Sequence, residues 1–133
     1  MTTPCLIDTN VLIDYLHGST SGSFVDNFER ALAVGSVVSV ITTMELLGWR
    51  GHTAQSRRDA ENLLHCMGEI ALSRQVVEEV IKLRSLLAIK LPDAIIAASA
   101  LVEGLPLMTS NTDDFKAIPG LRLLDPSHSH EPS

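Results

Sequence analysis

The fold is decided by one stretch near the start of the chain, Cys5-Leu6-Ile7-Asp8-Thr9-Asn10-Val11-Leu12-Ile13-Asp14. The apolar run at residues 5–7 is typical of a short strand that is covered on both faces. Asp8 follows it at once, and Thr9 or Asn10 can cap the helix that comes next. In open α/β sheets, ligands bind outside the carboxyl ends of the strands. Asp8 is therefore either a candidate metal ligand or only a helix cap.

The composition favours one domain with an aliphatic core. A chain of 133 residues fits a single domain and can bury roughly two-thirds of its unfolded surface. Hydrophobic residues make up 45% of the chain and aromatic residues only 4%, which suits helices packed on a parallel sheet. The two cysteines, Cys5 and Cys66, have no motif spacing. We predict that both are small core residues in a reducing compartment.

Charge and hydropathy exclude several classes of function. The first residues lack the positive segment of a signal peptide, and no apolar run is long enough to span a bilayer. We therefore expect a cytoplasmic protein without membrane contact. The net charge of −6 argues against a generally basic surface for nucleic acid. It does not exclude an enzyme that meets nucleic acid through cations bound at a small acidic site.

Short apolar runs alternate with amphipathic segments along the rest of the chain. The runs that predict further strands are residues 37–41, 70–72, 105–109 and 121–124. Among the intervening helical segments, residues 94–102 are apolar nearly all round and are predicted to be central and buried. The alternation predicts a three-layer α/β/α fold with a central parallel five-stranded sheet. We predict one domain over residues 1–125 and a short, polar, disordered tail over residues 126–133.

Four carboxylates have related positions in this predicted sheet. Asp8 follows the first strand, Glu45 lies in the first helical turn after the second, and Asp114 follows the fourth. Because the carboxyl ends of parallel strands meet at one edge, these three side chains should face one crevice. Asp93 opens the central helix, and it joins the others if that helix begins at the same edge.

Each of these acids also has a simpler explanation. Glu45 could complete a capping box with Thr42. Asp93 could complement the helix dipole, and Asp114 could cap a short helix. If all four cluster, however, two carboxylates about 4 Å apart repel by roughly 4 kcal/mol at an effective dielectric near 20. A hard cation such as Mg²⁺ or Mn²⁺ relieves this repulsion and can activate water for attack on a phosphodiester.

Five segments carry a more specific signal when they are taken together and in order. They are Asp8-Thr9-Asn10, Thr43-Met44-Glu45-Leu46-Leu47, Leu91-Pro92-Asp93-Ala94-Ile95-Ile96-Ala97-Ala98, Thr109-Ser110-Asn111-Thr112-Asp113-Asp114-Phe115 and Ile118-Pro119-Gly120-Leu121. Across about residues 7–124, they resemble a PIN-domain ribonuclease. Within that family the resemblance is to the VapC-type toxins of prokaryotic toxin–antitoxin pairs.

The resemblance implies an acidic catalytic site and a metal cofactor. The implied reaction is hydrolysis of RNA with Mg²⁺ or Mn²⁺, by an activated water that attacks in line. The implied catalytic and metal-binding residues are Asp8, Glu45, Asp93 and Asp114, and the implied supporting residues are Asn10, Thr43, Thr109 and Asn111. Asp113 is an extra acid that competes with Asp114 for the fourth position. Among the four, Glu45 has the longest side chain and is the best candidate to orient the water.

The resemblance also implies partners for the chain. These are an RNA substrate, a cognate antitoxin that places a basic side chain in the acidic pocket, and a second copy in a homodimer. Lys90 and Arg50 are candidates for contact with RNA phosphate. Trp49 could stack on a base, but we favour a hydrophobic role for it against the core or a partner. The apolar stripe is predicted to be core first, with part of it available as a groove for the antitoxin. Its members are Phe24, Phe28 and Leu32 with Val11, Leu12, Tyr15 and Leu16.

Other functions compete with this interpretation. The chain could be a catalytically inactive PIN-like binding module, or a PIN nuclease in RNA processing rather than a toxin. A receiver-like domain needs a phosphoacceptor Asp after the third strand, where Ser73 stands, and a Lys after the fifth, where Asp125 stands. A phosphatase with Asp8 as nucleophile would want a second Asp at the position of Asn10.

Overall fold

The structure, a computed structural model, describes residues 3–18 and 20–128. Its strands are β1 (Leu6–Ile7), β2 (Val37–Ser39), β3 (Gly68–Ile70), β4 (Leu107–Met108) and β5 (Leu123–Leu124). They form one sheet in the order β3-β2-β1-β4-β5, and every neighbouring pair is parallel. The predicted parallel five-stranded sheet is confirmed, with the first strand at its centre and the fifth at an edge.

The helices occupy the connections between the strands. They are α1 (Thr9–His17), α2 (Gly22–Ala33), α3 (Val40–Leu47), α4 (Ala54–Leu64), α5 (Arg74–Leu86) and α6 (Leu91–Glu103), with a 3₁₀ turn at Thr112–Asp114. Within the described ranges, no helix combines the length and the hydropathy that crossing a membrane would require.

The sheet separates two apolar cores, which makes the fold three-layered. Successive strand residues point to opposite faces. Leu6 therefore joins the core under α5 and α6, whereas Ile7 joins the core under α1, α2 and α4. Leu107 and Met108 of β4 divide in the same way. The predicted α/β/α architecture is thus confirmed.

Helix α6 is the buried centre of one layer, as its composition predicts. Its residues from Ala94 to Ala100 are all buried, and the four alanines among them let the helix lie close to its neighbours. The one polar residue in this run, Ser99, donates its hydroxyl to the carbonyl of Ile95 at 2.7 Å. Pro92 in the first turn and Gly104 at the end set the limits of the helix. The placement of α6 matters because Asp93 lies in its first turn.

The strands are shorter than predicted or shifted, and two of the changed boundaries have identifiable physical reasons. The second strand ends at Ser39, whose side chain accepts a hydrogen bond from the N–H of Ile41 at 3.2 Å and so starts α3 early. The third strand begins at Gly68 rather than at residue 70. A Cβ on Gly68 would lie 3.3 Å from Cγ1 of Val37, the residue opposite it in the sheet, so the glycine permits a close approach. A helix cap explains the first boundary and close packing accompanies the second. Apolar periodicity predicts neither a cap nor a close contact.

The chain remains ordered for a short distance beyond residue 125. Asn27 on α2 is buried and donates from its amide nitrogen to the carbonyls of Pro126 at 2.8 Å and His128 at 2.7 Å. The first three residues of the predicted tail are therefore held against the domain. Residues 129–133 lie outside the described part of the chain.

The two cysteines have different environments. Cys5 is buried, its sulfur lies 3.4 Å from the hydroxyl of Ser36, and burial raises the pKa of its thiol. Cys66 is exposed, so the prediction that both cysteines lie in the core was wrong for this residue. Cys66 follows the last turn of α4, where the helical pattern no longer constrains which side chain faces inward.

Candidate metal centre

Asp8 lies at the carboxyl end of the central strand with both carboxylate oxygens fixed. Its Oδ1 accepts from the N–H of Thr9 at 2.8 Å, and its Oδ2 accepts from the hydroxyl of Thr109 at 2.8 Å. Asp8 itself is the N-cap of α1, so the expectation that Thr9 or Asn10 would cap this helix was wrong. Capping and membership of an acidic site are compatible, because a carboxylate has lone pairs for both.

The other three acids lie close enough to Asp8 or to Asp93 for their charges to interact. Burial raises the pKa of the Asp8 carboxyl from 3.8 to about 6, and the negative charges of Asp93 and Glu45 add to this rise. Burial also raises the pKa of Asp93, and the charges of Asp114 and Glu45 raise it further. Below, Asp8, Glu45, Asp93 and Asp114 are called the acidic cluster.

The topology explains how four acids distant in sequence meet. Asp8 follows β1, and Glu45 lies on α3, which follows the neighbouring strand β2. Asp114 ends the 3₁₀ turn after β4, on the other side of β1. Helix α6 begins at this same edge of the sheet, since Asp93 in its first turn lies near enough to Asp114 and Glu45 for their charges to raise its pKa. The condition set from the sequence for including Asp93 is therefore met.

Glu45 is exposed, and a threonine holds its carboxylate. The hydroxyl of Thr9 donates to Oε1 of Glu45 at 2.8 Å and also lies 2.8 Å from the hydroxyl of Thr42. Thr9 was not predicted as a functional residue, and Thr42 was predicted only as a capping residue. The capping box does not form, because α3 already begins at Val40. The available signals were the position of Thr9 beside Asp8 and the helical spacing of three between Thr42 and Glu45.

Of the predicted supporting residues, Thr109 and Asn111 act on Asp8. The backbone N–H of Asn111 donates to Oγ1 of Thr109 at 3.0 Å, and Thr109 in turn donates to Asp8. Asn10 contributes a buried side-chain oxygen that has no hydrogen-bond partner among the described residues. Thr43 points elsewhere, since its hydroxyl donates to Glu69 at 2.6 Å rather than to a member of the acidic cluster.

The two adjacent acids after β4 are in different situations. Asp113 is exposed and forms an ion pair with Lys116 at 3.2 Å. Asp114 raises the pKa of Asp93 by its charge, whereas Asp113 does not contribute to that shift. The geometry therefore favours Asp114 as the acid that belongs with the other three.

A pair of substitutions separates these two acids. We expect Asp114→Asn to weaken Mn²⁺ binding about tenfold or more, and Asp113→Asn to change it less than about twofold. In metal-free protein, Asp114→Asn should also lower the pKa of Asp93, because it removes a nearby negative charge. Calorimetry and carboxyl NMR titration measure the two effects. The opposite ranking of the two variants would assign the fourth position to Asp113.

The candidate RNA contacts differ in their distance from the acids. Lys90 is the N-cap residue of α6, and its positive charge lowers the pKa of Asp93. It therefore lies near the acidic cluster. Arg50 is exposed in the turn after α3, and Trp49 beside it is 57% exposed, which excludes a core role for Trp49.

The chemistry of the acidic cluster fits a hard divalent cation. Its donors are carboxylate oxygens, and the unpartnered oxygen of Asn10 lies two residues from Asp8. Burial disfavours the charged form of Asp8 and so raises its pKa. A bound cation would stabilise that charged form. Within the part of the chain described, no three acidic, histidine or cysteine side chains are close enough to hold one ion as they stand. Binding therefore requires side-chain movement, which the exposed Asp114 can make.

An apolar cavity of about 280 Å³ opens beside the acidic cluster. It is lined by Ile13, Leu16, His17, Glu45, Leu46, Trp49, His52, Ser56 and Asp59. Glu45 thus belongs both to this cavity and to the acidic cluster. Phe24 and Phe28 of the apolar stripe are fully packed in the core, whereas Leu16 of the same stripe lines this cavity from α1.

Comparison with known proteins places the chain among nucleases of one fold. Residues 5–121 match the family model of the PIN domain. A toxin–antitoxin complex from Klebsiella pneumoniae contains a chain 33% identical to this one, with a TM-score of 0.72, and the match covers 92% of this chain and 97% of that one. VapBC-1 from nontypeable Haemophilus influenzae is 27% identical, with a TM-score of 0.79 and coverages of 95% and 100%. DNA-bound VapBC from Salmonella typhimurium, 24% identical, shares the fold with a TM-score of 0.82 and coverages of 94% and 99%. Comparison with curated protein sequences gives no match.

Proposed function

Because this chain belongs to the PIN domain family and is a VapC-type toxin within it, we propose that it cleaves RNA at the acidic cluster with a divalent cation, Mg²⁺ or Mn²⁺. Its general class, a nuclease that hydrolyses phosphodiester bonds, follows from the family. The observation that supports the site is that the charges of Asp93 and Glu45 act on Asp8 and that the charge of Asp114 acts on Asp93, so these carboxylates repel their neighbours without a cation.

Each residue of the acidic cluster has a role in this proposal. Asp8 and Asp93 are its least exposed members and would hold the cation, with Asp114 as a further ligand. When bound, the ion supplies a Lewis acid for the phosphodiester and makes nearby water more acidic. Glu45 orients the attacking water and accepts its proton while the P–O bond to the leaving group breaks. Lys90 lies near Asp93, where it can contact an RNA phosphate.

We also propose that an antitoxin docks in the apolar cavity beside Glu45. The relatives from Klebsiella and Haemophilus are complexes of a toxin with its antitoxin. Ile13 and Trp49 are exposed at this cavity and offer an apolar anchor site. A partner with one apolar anchor and one basic side chain would fill the cavity and neutralise the acidic cluster together.

The oligomeric state and the compartment are further parts of the proposal. A homodimer would cover apolar side chains that are exposed on α5 and at the start of α6, namely Ile81, Leu86 and Leu91. Both cysteines are free thiols, as expected of a protein that works in the reducing cytoplasm, where RNA is available.

The test is cleavage of a panel of structured RNAs by the purified protein with Mg²⁺, with Mn²⁺ and with EDTA. We expect cleavage that requires metal and that falls at least about 100-fold in Asp93→Asn. Asp26→Asn, at an exposed acid on α2, should cut like the wild type. Cleavage that persists in EDTA, or equally in Asp93→Asn, would overturn the proposal. If the wild-type protein neither cleaves RNA nor binds Mn²⁺, the result favours an inactive binding module.

A further inference from the structure

We propose that Thr9 is a positioning residue that fixes the carboxylate of Glu45 beside Asp8, and that Thr42 in turn fixes Thr9. The inference rests on the proposed function, because it concerns the same acidic cluster. It assigns two uncharged residues, neither of which is a metal ligand in the proposal, to the geometry of the site.

The directions of the hydrogen bonds follow from counting protons. An ionised carboxylate can only accept, so the single hydroxyl proton of Thr9 goes to Oε1 of Glu45 at 2.8 Å. Thr9 then has only lone pairs left for Thr42. The hydroxyl of Thr42 must therefore be the donor in the 2.8 Å bond between the two threonines. The result is a directed relay from Thr42 through Thr9 to Glu45, in which each bond polarises the next.

Glu45 needs such support more than the other acids do. It is exposed on the surface of α3, where a long side chain has many rotamers available. A donor from Thr9 to Oε1 selects a subset of those rotamers and leaves Oε2 free. Thr9 is 8% exposed and Thr42 is fully buried, so the relay is anchored on a part of the protein that cannot reorient easily.

Thr9 holds two carboxylates at once. Its backbone N–H donates to Oδ1 of Asp8, and its hydroxyl donates to Oε1 of Glu45, both at 2.8 Å. Threonine in a helix has few χ1 rotamers, and the hydrogen bonds of its hydroxyl to Glu45 and Thr42 select one of them, so the two donors keep a nearly fixed relation. One residue therefore sets the separation of the carboxylate on the central strand from the carboxylate on α3.

The relay is uncharged, and this suits a site for a cation. Among residues 3–18 and 20–128, the ion pairs involve Glu61, Glu78, Asp113 and Asp125, none of which belongs to the acidic cluster. Hydroxyl donors orient Asp8 and Glu45 without cancelling their charge. A lysine or arginine in the same position would compete with the metal for that charge.

The experiment compares three forms of residue 9. Thr9→Val has nearly the same shape but no hydroxyl, whereas Thr9→Ser keeps the hydroxyl. We expect Thr9→Val to weaken Mn²⁺ binding, measured by calorimetry, about tenfold, and to lower kcat about tenfold while the KM for RNA stays within about twofold. Thr9→Ser should stay within about threefold of the wild type in both measurements.

A double-substitution cycle tests whether Thr9 acts through Glu45. In a Glu45→Ala background the carboxylate is gone, so Thr9→Val should change Mn²⁺ affinity less than about twofold. An equal tenfold effect in both backgrounds would overturn the inference. So would wild-type Mn²⁺ affinity in Thr9→Val, or a failure of Thr9→Ser to restore binding.

A control variant distinguishes a loss of catalytic geometry from a general loss of stability. The metal dependence of the wild type distinguishes failure of this inference from failure of the proposed function. Thr53→Val is the same substitution at the N-cap of α4, so it should lower thermal stability without changing kcat. If the wild type cuts RNA without metal, the proposed function fails. If the wild type requires metal and Thr9→Val is unchanged, only the role of Thr9 fails.

Discussion

Asp8→Asn should abolish most of the nuclease activity and yet make the metal-free protein more stable at neutral pH. The pKa of Asp8 rises from 3.8 to about 6 in the folded protein, with burial as the main cause. At 1.36 kcal/mol per pKa unit, ionising this buried carboxyl costs the fold about 3 kcal/mol. Asparagine can accept the same hydrogen bond from the N–H of Thr9 without carrying a charge.

The sign of the pH dependence is fixed by the direction of the shift. Below pH 3.8 the carboxyl of Asp8 is protonated in both the folded and the unfolded protein, so its burial costs no stability. As the pH rises from 3.8 to about 6 the unfolded state loses this proton first, and the folded state becomes less stable. The asparagine side chain of the variant does not titrate. The stability gain of Asp8→Asn should therefore be largest above pH 6 and should shrink as the pH falls from 6 towards 4.

Urea unfolding in EDTA at pH 4.5 and pH 7.5 measures this gain directly. Asp26→Asn, at an exposed acid, should change the free energy of unfolding by less than about 0.5 kcal/mol at either pH. Adding Mn²⁺ should stabilise the wild type and have little effect on Asp8→Asn. A variant that is less stable than the wild type at pH 7.5 without metal would contradict the raised pKa. In the cleavage assay, we expect Asp8→Asn to cut RNA at least about 100-fold more slowly than the wild type.

Phe115→Ala should lower the free energy of unfolding by about 3–5 kcal/mol. Phe115 is 1% exposed and lies in the core under α5 and α6, together with Leu107 and Ile118. It also directly follows Asp114, and its N–H donates to the carbonyl of Thr112 at 3.1 Å. Removing the ring should therefore both create a cavity and loosen the turn that carries Asp114.

Chemical unfolding and Mn²⁺ titration separate these two effects. Phe28→Ala removes an equally buried ring from the other core, so it should cost similar stability but leave the Mn²⁺ affinity of the folded protein unchanged. Phe115→Leu keeps most of the volume and should cost less than about 1.5 kcal/mol. If Phe115→Ala does not fold, the stability and Mn²⁺ affinity of Phe115→Leu can still be measured. Equal Mn²⁺ affinity in Phe28→Ala and Phe115→Ala would mean that Phe115 does not position Asp114.

The layers of the fold could be predicted because apolar patterning reports burial directly. The continuous apolar run at residues 5–7 favours a central strand, and the longer, nearly all-apolar run at residues 94–102 favours a central helix; both segments are buried. The exact strand ends could not be predicted in this way. Ser39 ends β2 by capping α3, and Gly68 at the start of β3 lies so near Val37 that a Cβ there would make a tight contact.

The acids of the site could be located from topology, but not their hydrogen bonds. Parallel strands bring their carboxyl ends to one edge, which is enough to gather Asp8, Glu45 and Asp114. Which threonine supports which acid depends on side-chain directions that no spacing rule supplies. Thr43 and Thr42 are adjacent in sequence, yet Thr43 donates to Glu69 while Thr42 contacts Thr9.

The order of the strands also determines when during synthesis this protein can become active. The hydrogen bond from Thr109 to Asp8 joins residues 101 positions apart, and β1 lacks one of its two neighbours until β4 exists. A nascent chain that ends before β4 carries Asp8 and Glu45 but has neither Thr109 nor Asp114. The acidic cluster therefore cannot assemble until synthesis has passed Asp114, whichever of its acids was made first.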